Sequence, residues 1–149
     1  MNKVYAVEKR IIGHSACFRQ RNATSHCRFL HGYALEFILR FESEELDHRN
    51  WVVDFGGLKG AKEFFKHYFD HTTICEKDDP DLPVYQDLDK RGLIQLRVLP
   101  LVSCEAFTDF ALNTLKGSDE WIKEKDIRDK LVSVTVYEHG LNSASSALR

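Results

Sequence analysis

Apolar side chains take every second position from Tyr33 to Phe41. Tyr33, Leu35, Phe37, Leu39 and Phe41 fall on one side, and Ala34, Glu36, Ile38 and Arg40 on the other. A period of two predicts a strand with one well-buried face. Lys3 to Gly13 is rich in Val, Tyr and Ile without helical spacing and predicts a first strand. After Asp54-Phe55-Gly56-Gly57 the period changes: Leu58, Ala61, Phe65 and Tyr68 recur at steps of three and four, the apolar stripe of a helix. A second stripe of Phe107, Phe110, Ala111 and Leu115 follows Ser103, a residue suited to cap it. Between the helices, Asp78-Asp79-Pro80-Asp81 and Pro83 mark a surface loop, and Leu93 to Leu101 reads as a short strand or extended segment. Beyond a charged stretch from Asp119 to Lys130, Val132, Val134 and Val136 alternate with Ser133, Thr135 and Tyr137, ending at Glu138. Gly140-Leu141-Asn142 then turns the chain into a last strand over residues 143–148.

The predicted order is β-β-α-α-β-β, an α+β fold in which two hairpins build an antiparallel sheet carrying both helices on one face. Its two open edges invite pairing with further copies. The 149 residues suit one domain, 1–149, without repeat or linker. A hydrophobic share of 43% and a charged share of 30% exclude a disordered chain. The net charge of −2 argues against a general nucleic-acid binder. No apolar run is long enough to cross a bilayer, and the start lacks a secretory pattern, so a cytoplasmic protein is expected.

The chemistry concentrates between the first two strands. Residues 14–32 carry His14, His26, His31, Cys17, Cys27, Arg19, Arg21 and Arg28, and loops on a rigid scaffold commonly carry function. Cys27, flanked by His26 and Arg28 and four positions before His31, is a candidate reactive thiol. A turn with a buried cysteine would satisfy the same pattern. The four cysteines make no C-x-x-C pair, so a structural zinc knuckle is not expected.

Cys27-Arg28-Phe29-Leu30-His31-Gly32-Tyr33 resembles the C-x-x-L-H-G-H signature of the 6-carboxytetrahydropterin and 6-pyruvoyltetrahydropterin synthases. Val53-Asp54-Phe55-Gly56-Gly57-Leu58-Lys59 is similar to that family's V-x-D-F-x-x-L-K, and Phe69-Asp70-His71 to its L-D-H. Ser103-Cys104-Glu105 stands at its T-x-E, and Val134-Thr135-Val136-Tyr137-Glu138 resembles its closing V-x-V-x-E-T strand. The resemblance implies a T-fold, whose sheets join edge to edge into barrels, commonly stacked as hexameric homo-oligomers. It implies a lyase acting on 7,8-dihydroneopterin triphosphate, in bacteria usually forming 6-carboxytetrahydropterin on the route to 7-deazaguanines such as queuosine. Cys27 then matches the catalytic base, and Asp70 with His71 the pair that relays a proton from the other side. Glu138 matches the carboxylate that anchors the pterin, while Glu105 and Ser103 match residues lining its pocket.

The family also implies zinc, held by one histidine of F-S-A-x-H and two of H-G-H. Here Phe18 and Tyr33 stand at two of those three positions and only His31 remains. A catalytic zinc needs about three protein ligands. His14 and His26 are the candidates to complete a site. A further expectation is therefore that zinc is not held in the family's usual geometry; Arg19, Arg21 and Arg28 are the candidates to supply positive charge in its place. A pterin-binding protein without turnover and a metal-independent, dihydroneopterin aldolase-like enzyme are the competing readings.

Overall fold

The structure, a computed structural model, describes residues 3–149. The elements are β1 (Tyr5–Phe18), β2 (His31–Ser43), α1 (Lys59–Phe69), β3 (Thr72–Glu76), α2 (Leu82–Lys90), β4 (Leu96–Leu99), α3 (Cys104–Gly117), α4 (Lys125–Lys130), β5 (Leu131–His139) and β6 (Asn142–Ala147). One six-stranded sheet holds them in the order β4-β3-β1-β2-β5-β6. The expected antiparallel ladder β1-β2-β5-β6 is present. Two short strands extend it: β3 runs parallel to β1 and β4 parallel to β3, so the sheet is mixed rather than wholly antiparallel.

The alternation in β2 buries as expected, with Leu35, Phe37, Leu39 and Phe41 at 1% exposure or less. These pack under α1 and α3, where Phe37 lies 4.5 Å from Phe65 and 4.7 Å from Phe69 between ring centroids. Asp54 caps the 3-10 turn Phe55–Leu58 by accepting from the Gly56 amide, and α1 continues from that turn. Ser103 caps α3, its hydroxyl accepting from the Ala106 amide at 2.9 Å. α1 also buries Phe64 and Phe69, which widen its apolar stripe.

β1 runs five residues past its expected end at Gly13. Ile11 pairs with Phe37 and His14 with Leu35, so β1 spends three residues where β2 spends two. This bulge, with Gly13 at φ +88°, reverses the side-chain parity of the strand. Beyond it His14, Ala16 and Phe18 face inward, whereas Ser15 and Cys17 take the other face.

Candidate functional site

The end of β1 and the start of β2 are joined by residues 19–30, and the register sets Phe18 opposite His31 and Ala16 opposite Tyr33. Short-range bonds shape the loop. Ser25 caps the 3-10 turn His26–Arg28, and the Gln20 amide donates to the Cys27 carbonyl at 2.9 Å. Cys27 is half-buried and His26 exposed.

The three loop arginines are engaged elsewhere. Arg19 donates twice to the buried Asp79, at 2.8 and 3.2 Å, and once to Asp81 at 2.8 Å. Burial alone would lift the Asp79 carboxyl, but the hydrogen bonds from Arg19 and the Asp81 amide hold it below the usual range. Arg21 donates to Glu76 at 2.5 Å. Arg28 donates to the Thr24 and Ser25 carbonyls and stacks on Phe29. The expectation that a loop arginine supplies free positive charge is corrected: these cations tether the loop.

The implied zinc does not fit the residues at its family position. Phe18, 1% exposed, lies 5.8 Å from His31 and 5.9 Å from Tyr33 between ring centroids. Placing a dication beside that apolar ring without compensating ligands is prohibitive. Of the possible recruits, His14 does not reach His31. His14 sits four residues up β1, about 13 Å away at ~3.3 Å per residue, and its Nδ1 is 3.7 Å from Asp70 Oδ1. Among the described residues no group of three or more His, Cys, Asp or Glu is placed to hold a metal ion. His31 Nδ1 lies 2.6 Å from the Phe29 carbonyl, which only accepts, so this nitrogen carries a proton and donates it.

Glu138, near the end of β5, lines an open pocket of about 420 Å³ with Glu105, Cys104, Leu141, Asn142, Ser143 and Ala144. The Cys104 thiol donates to Glu138 Oε1 at 3.3 Å, and burial followed by that carboxylate pushes it far up, so it remains a thiol. Tyr33 belongs to the same neighbourhood. Burial raises its phenol, and the negative charge of Glu138 raises it further, with Cys27 and Cys104 also within range. Cys27, Tyr33, Glu138 and Glu105 therefore share one corner of the chain. Ser103, beside them in sequence, has its hydroxyl occupied in capping α3.

Asp70 and His71 lie elsewhere, after α1. They border a separate cavity with Glu63, Lys66, His67, Gln95 and Arg97. His71 takes φ +55°, a left-handed conformation rare for a non-glycine residue. Two bonds hold it there, its amide donating to Ser15 at 2.6 Å and its carbonyl accepting from Gln95 at 3.2 Å. Its ring bonds Asp70 at 2.8 Å through Nδ1, and its side chain is 78% exposed. Burial lifts the Asp70 carboxyl, but the His71 hydrogen bond, the charges of His71 and His14 and the Ser15 amide outweigh it and leave it lowered. Sequence reasoning missed Cys104 as the partner of Glu138 and Asp79 as the anchor of the loop. A cysteine in a first helical turn and an aspartate in a D-D-P-D run carry no local signal.

The profile of the family described as PTPS, 6-pyruvoyl tetrahydropterin synthase, matches residues 7–147. Among curated proteins, the 6-carboxy-5,6,7,8-tetrahydropterin synthase of Rickettsia felis is 32% identical over 74 residues, 49% of this chain and 47% of the relative. That of Aquifex aeolicus is 28% identical over 108 residues, 70% of this chain and 65% of the relative. The chain thus spans about half to two thirds of the length of these relatives. Among solved structures, an uncharacterised protein from Wolinella succinogenes superposes with a TM-score of 0.81 at 22% identity, covering 99% of both chains. The 6-pyruvoyl tetrahydropterin synthase of Caenorhabditis elegans superposes with a TM-score of 0.67 at 15% identity, covering 99% of this chain and 97% of that one. At such identities the structural likeness establishes the fold, a T-fold of the α+β class.

Proposed function

Because the chain belongs to the 6-pyruvoyl tetrahydropterin synthase family, we propose that it is a lyase acting on 7,8-dihydroneopterin triphosphate or a close pterin. The names of the curated relatives favour the 6-carboxy-5,6,7,8-tetrahydropterin product, an intermediate towards 7-deazaguanines. The observation that carries this reading is the shared corner of Cys27 and Glu138 beside an open pocket bordered by Glu105. A carboxylate accepts two donors at once, which suits the amino-pyrimidinone edge of a pterin. Cys27 then takes a proton from a side-chain carbon, and His71, oriented by Asp70, exchanges one from the opposite side.

In this reading the protein works as a homo-oligomer, as a single domain in the cytoplasm. Within one chain Glu138 and His71 border different cavities. The exposed His71 ring completes the Cys27 site of a neighbouring copy. No helix among the described residues is long and apolar enough to cross a membrane.

The test separates binding from turnover. Glu138→Ala abolishes pterin binding measured by fluorescence titration. Cys27→Ala keeps binding within about threefold and loses turnover by a factor of ~10² or more. Unchanged turnover in Cys27→Ala removes the base assignment. One observation favours a second reading, metal-independent cleavage of the dihydroneopterin side chain in the aldolase manner: Phe18 and Tyr33 occupy the zinc positions. Incubation with dihydroneopterin and with its triphosphate, followed by product analysis, decides between them.

A further inference from the structure

We propose that the Tyr33 hydroxyl is the electrophilic group of the site, polarising by a hydrogen bond the substrate oxygen that relatives of this chain hold on a metal. The inference rests on the reading of Cys27 as base and names the group that makes its carbon acid reactive. Three observations lead there.

The first is steric. Phe18, His31 and Tyr33 pack as a triplet of rings with centroids 5.2 to 5.9 Å apart, so the phenylalanine abuts both of the other rings and the volume they enclose is apolar on that side. The second is the disposition of donors around this corner. Arg19, Arg21 and Arg28 are bound to Asp79, Glu76 and the loop carbonyls. Cys104 is bound to Glu138, and the Asn142 amide lies 3.2 Å from His139 Nε2. The His31 Nδ1–H is given to Phe29. The third is the phenol itself. Its ring lies 6.4 Å from that of His139, the residue after Glu138, and the Glu138 charge reaches it, with Cys27 also within range. It appears in no hydrogen bond among the described residues, and burial keeps its proton in place. A neutral O–H in a partly desolvated corner is a preorganised donor that withdraws electron density through the oxygen it bonds, which acidifies the C–H on the same carbon.

The step then balances without a metal. The C–H bond on the oxygen-bearing side-chain carbon breaks, and its proton passes to the Cys27 thiolate. The electron pair moves into the conjugated pterin ring, and the ring nitrogen that receives the charge takes a proton from water. The Tyr33 O–H hydrogen-bonds the oxygen on that carbon and keeps its proton throughout. Because the donor is neutral, it acidifies the carbon less than a dication would.

Tyr33→Phe removes one oxygen and leaves the ring against Phe18 and His31. It is assayed beside wild type after both are stripped of metal by chelation, with thermal melts to confirm the fold. The expected result is a turnover lower by about 10²-fold, the usual cost of removing one such donor, with pterin affinity within about threefold. Substrate deuterated at the reacting carbon gives a larger primary isotope effect in Tyr33→Phe, because proton abstraction becomes slower; a merely structural role would not raise it. Turnover of Tyr33→Phe within about threefold of wild type overturns the proposal and leaves Cys27 as base. So does a stripped wild type that is inactive and recovers with stoichiometric zinc. A wild type that binds pterin yet turns over neither substrate overturns the lyase reading as well, and the two failures are told apart by that control.

Discussion

His14 carries a buried ring nitrogen without a hydrogen-bond partner. Its Nδ1 faces Asp70 at 3.7 Å, while the other approach to the same carboxylate oxygen is taken by His71 at 2.8 Å. One carboxylate between two imidazoles is held ionised from both sides, against the burial that opposes it. Replacing His14 with Gln removes one of these influences, so the Asp70 carboxyl moves up, followed by carbon-detected NMR titration; an unmoved Asp70 would show that His71 and the Ser15 amide suffice. The sign for stability follows. The Asp70 contribution is present above its unfolded pKa of about 3.9 and lost as pH falls through the lowered folded value. The paired Asp and His were legible as D-H. His14 was legible only as a histidine, because its inward direction depends on the bulge at Gly13, and no local pattern announces an extra residue in a ladder.

Elements with a strong period were read correctly and those held by tertiary contacts were not. The stripes of α1 and α3 and the alternation of β2 and β5 were visible because one face of each is apolar. α2 was read as loop: of its nine residues only Tyr85 is buried, and its start is marked chiefly by Pro83. β3 is too short for a period, yet Thr72 to Cys75 are all buried between β1 and β4. α4 is charged throughout except for the buried Ile127. Two substitutions probe these junctions. A Cβ on Gly60 would sit 1.8 Å from the Trp121 carbonyl oxygen, so Gly60→Ala forces α1 off the turn before α4. It lowers stability by about 1–3 kcal/mol in a denaturant melt. Asp79→Ala leaves Arg19 half-buried without its main partner and costs about 3 kcal/mol. In wild type the Asp79 contribution is complete above about pH 4 and fades as pH drops through the lowered folded value. The Asp79→Ala variant therefore loses that part of its acid sensitivity, and an unchanged acid melt would show that Asp79 is not held in this way.

At the scale of the molecule, the sheet leaves open the outer side of β6 and much of β1, since β3 pairs with β1 only at Ala16 and Cys17. Mixing two variants makes a test of assembly. Cys27→Ala and His71→Ala, each inactive alone, regain about a quarter of wild-type turnover when unfolded, mixed and refolded together, if each site draws on two copies combined at random. No recovery would confine the site to one chain. The topology of the long hairpins is readable from the sequence, whereas the placement of Glu138 and His71 beside different cavities is not, because it depends on which cavity each strand end faces. Phe18 stands at the meeting of site and core, its ring edge-on to Phe107 at 5.0 Å and that ring 5.2 Å from Phe69. This ties any change of the site's chemistry to the packing of the core. A chain that gains a three-imidazole centre by single substitutions passes through Phe18→His or Tyr33→His alone. The first leaves a hole in the aromatic core, and the second removes the phenol before the third imidazole is in place.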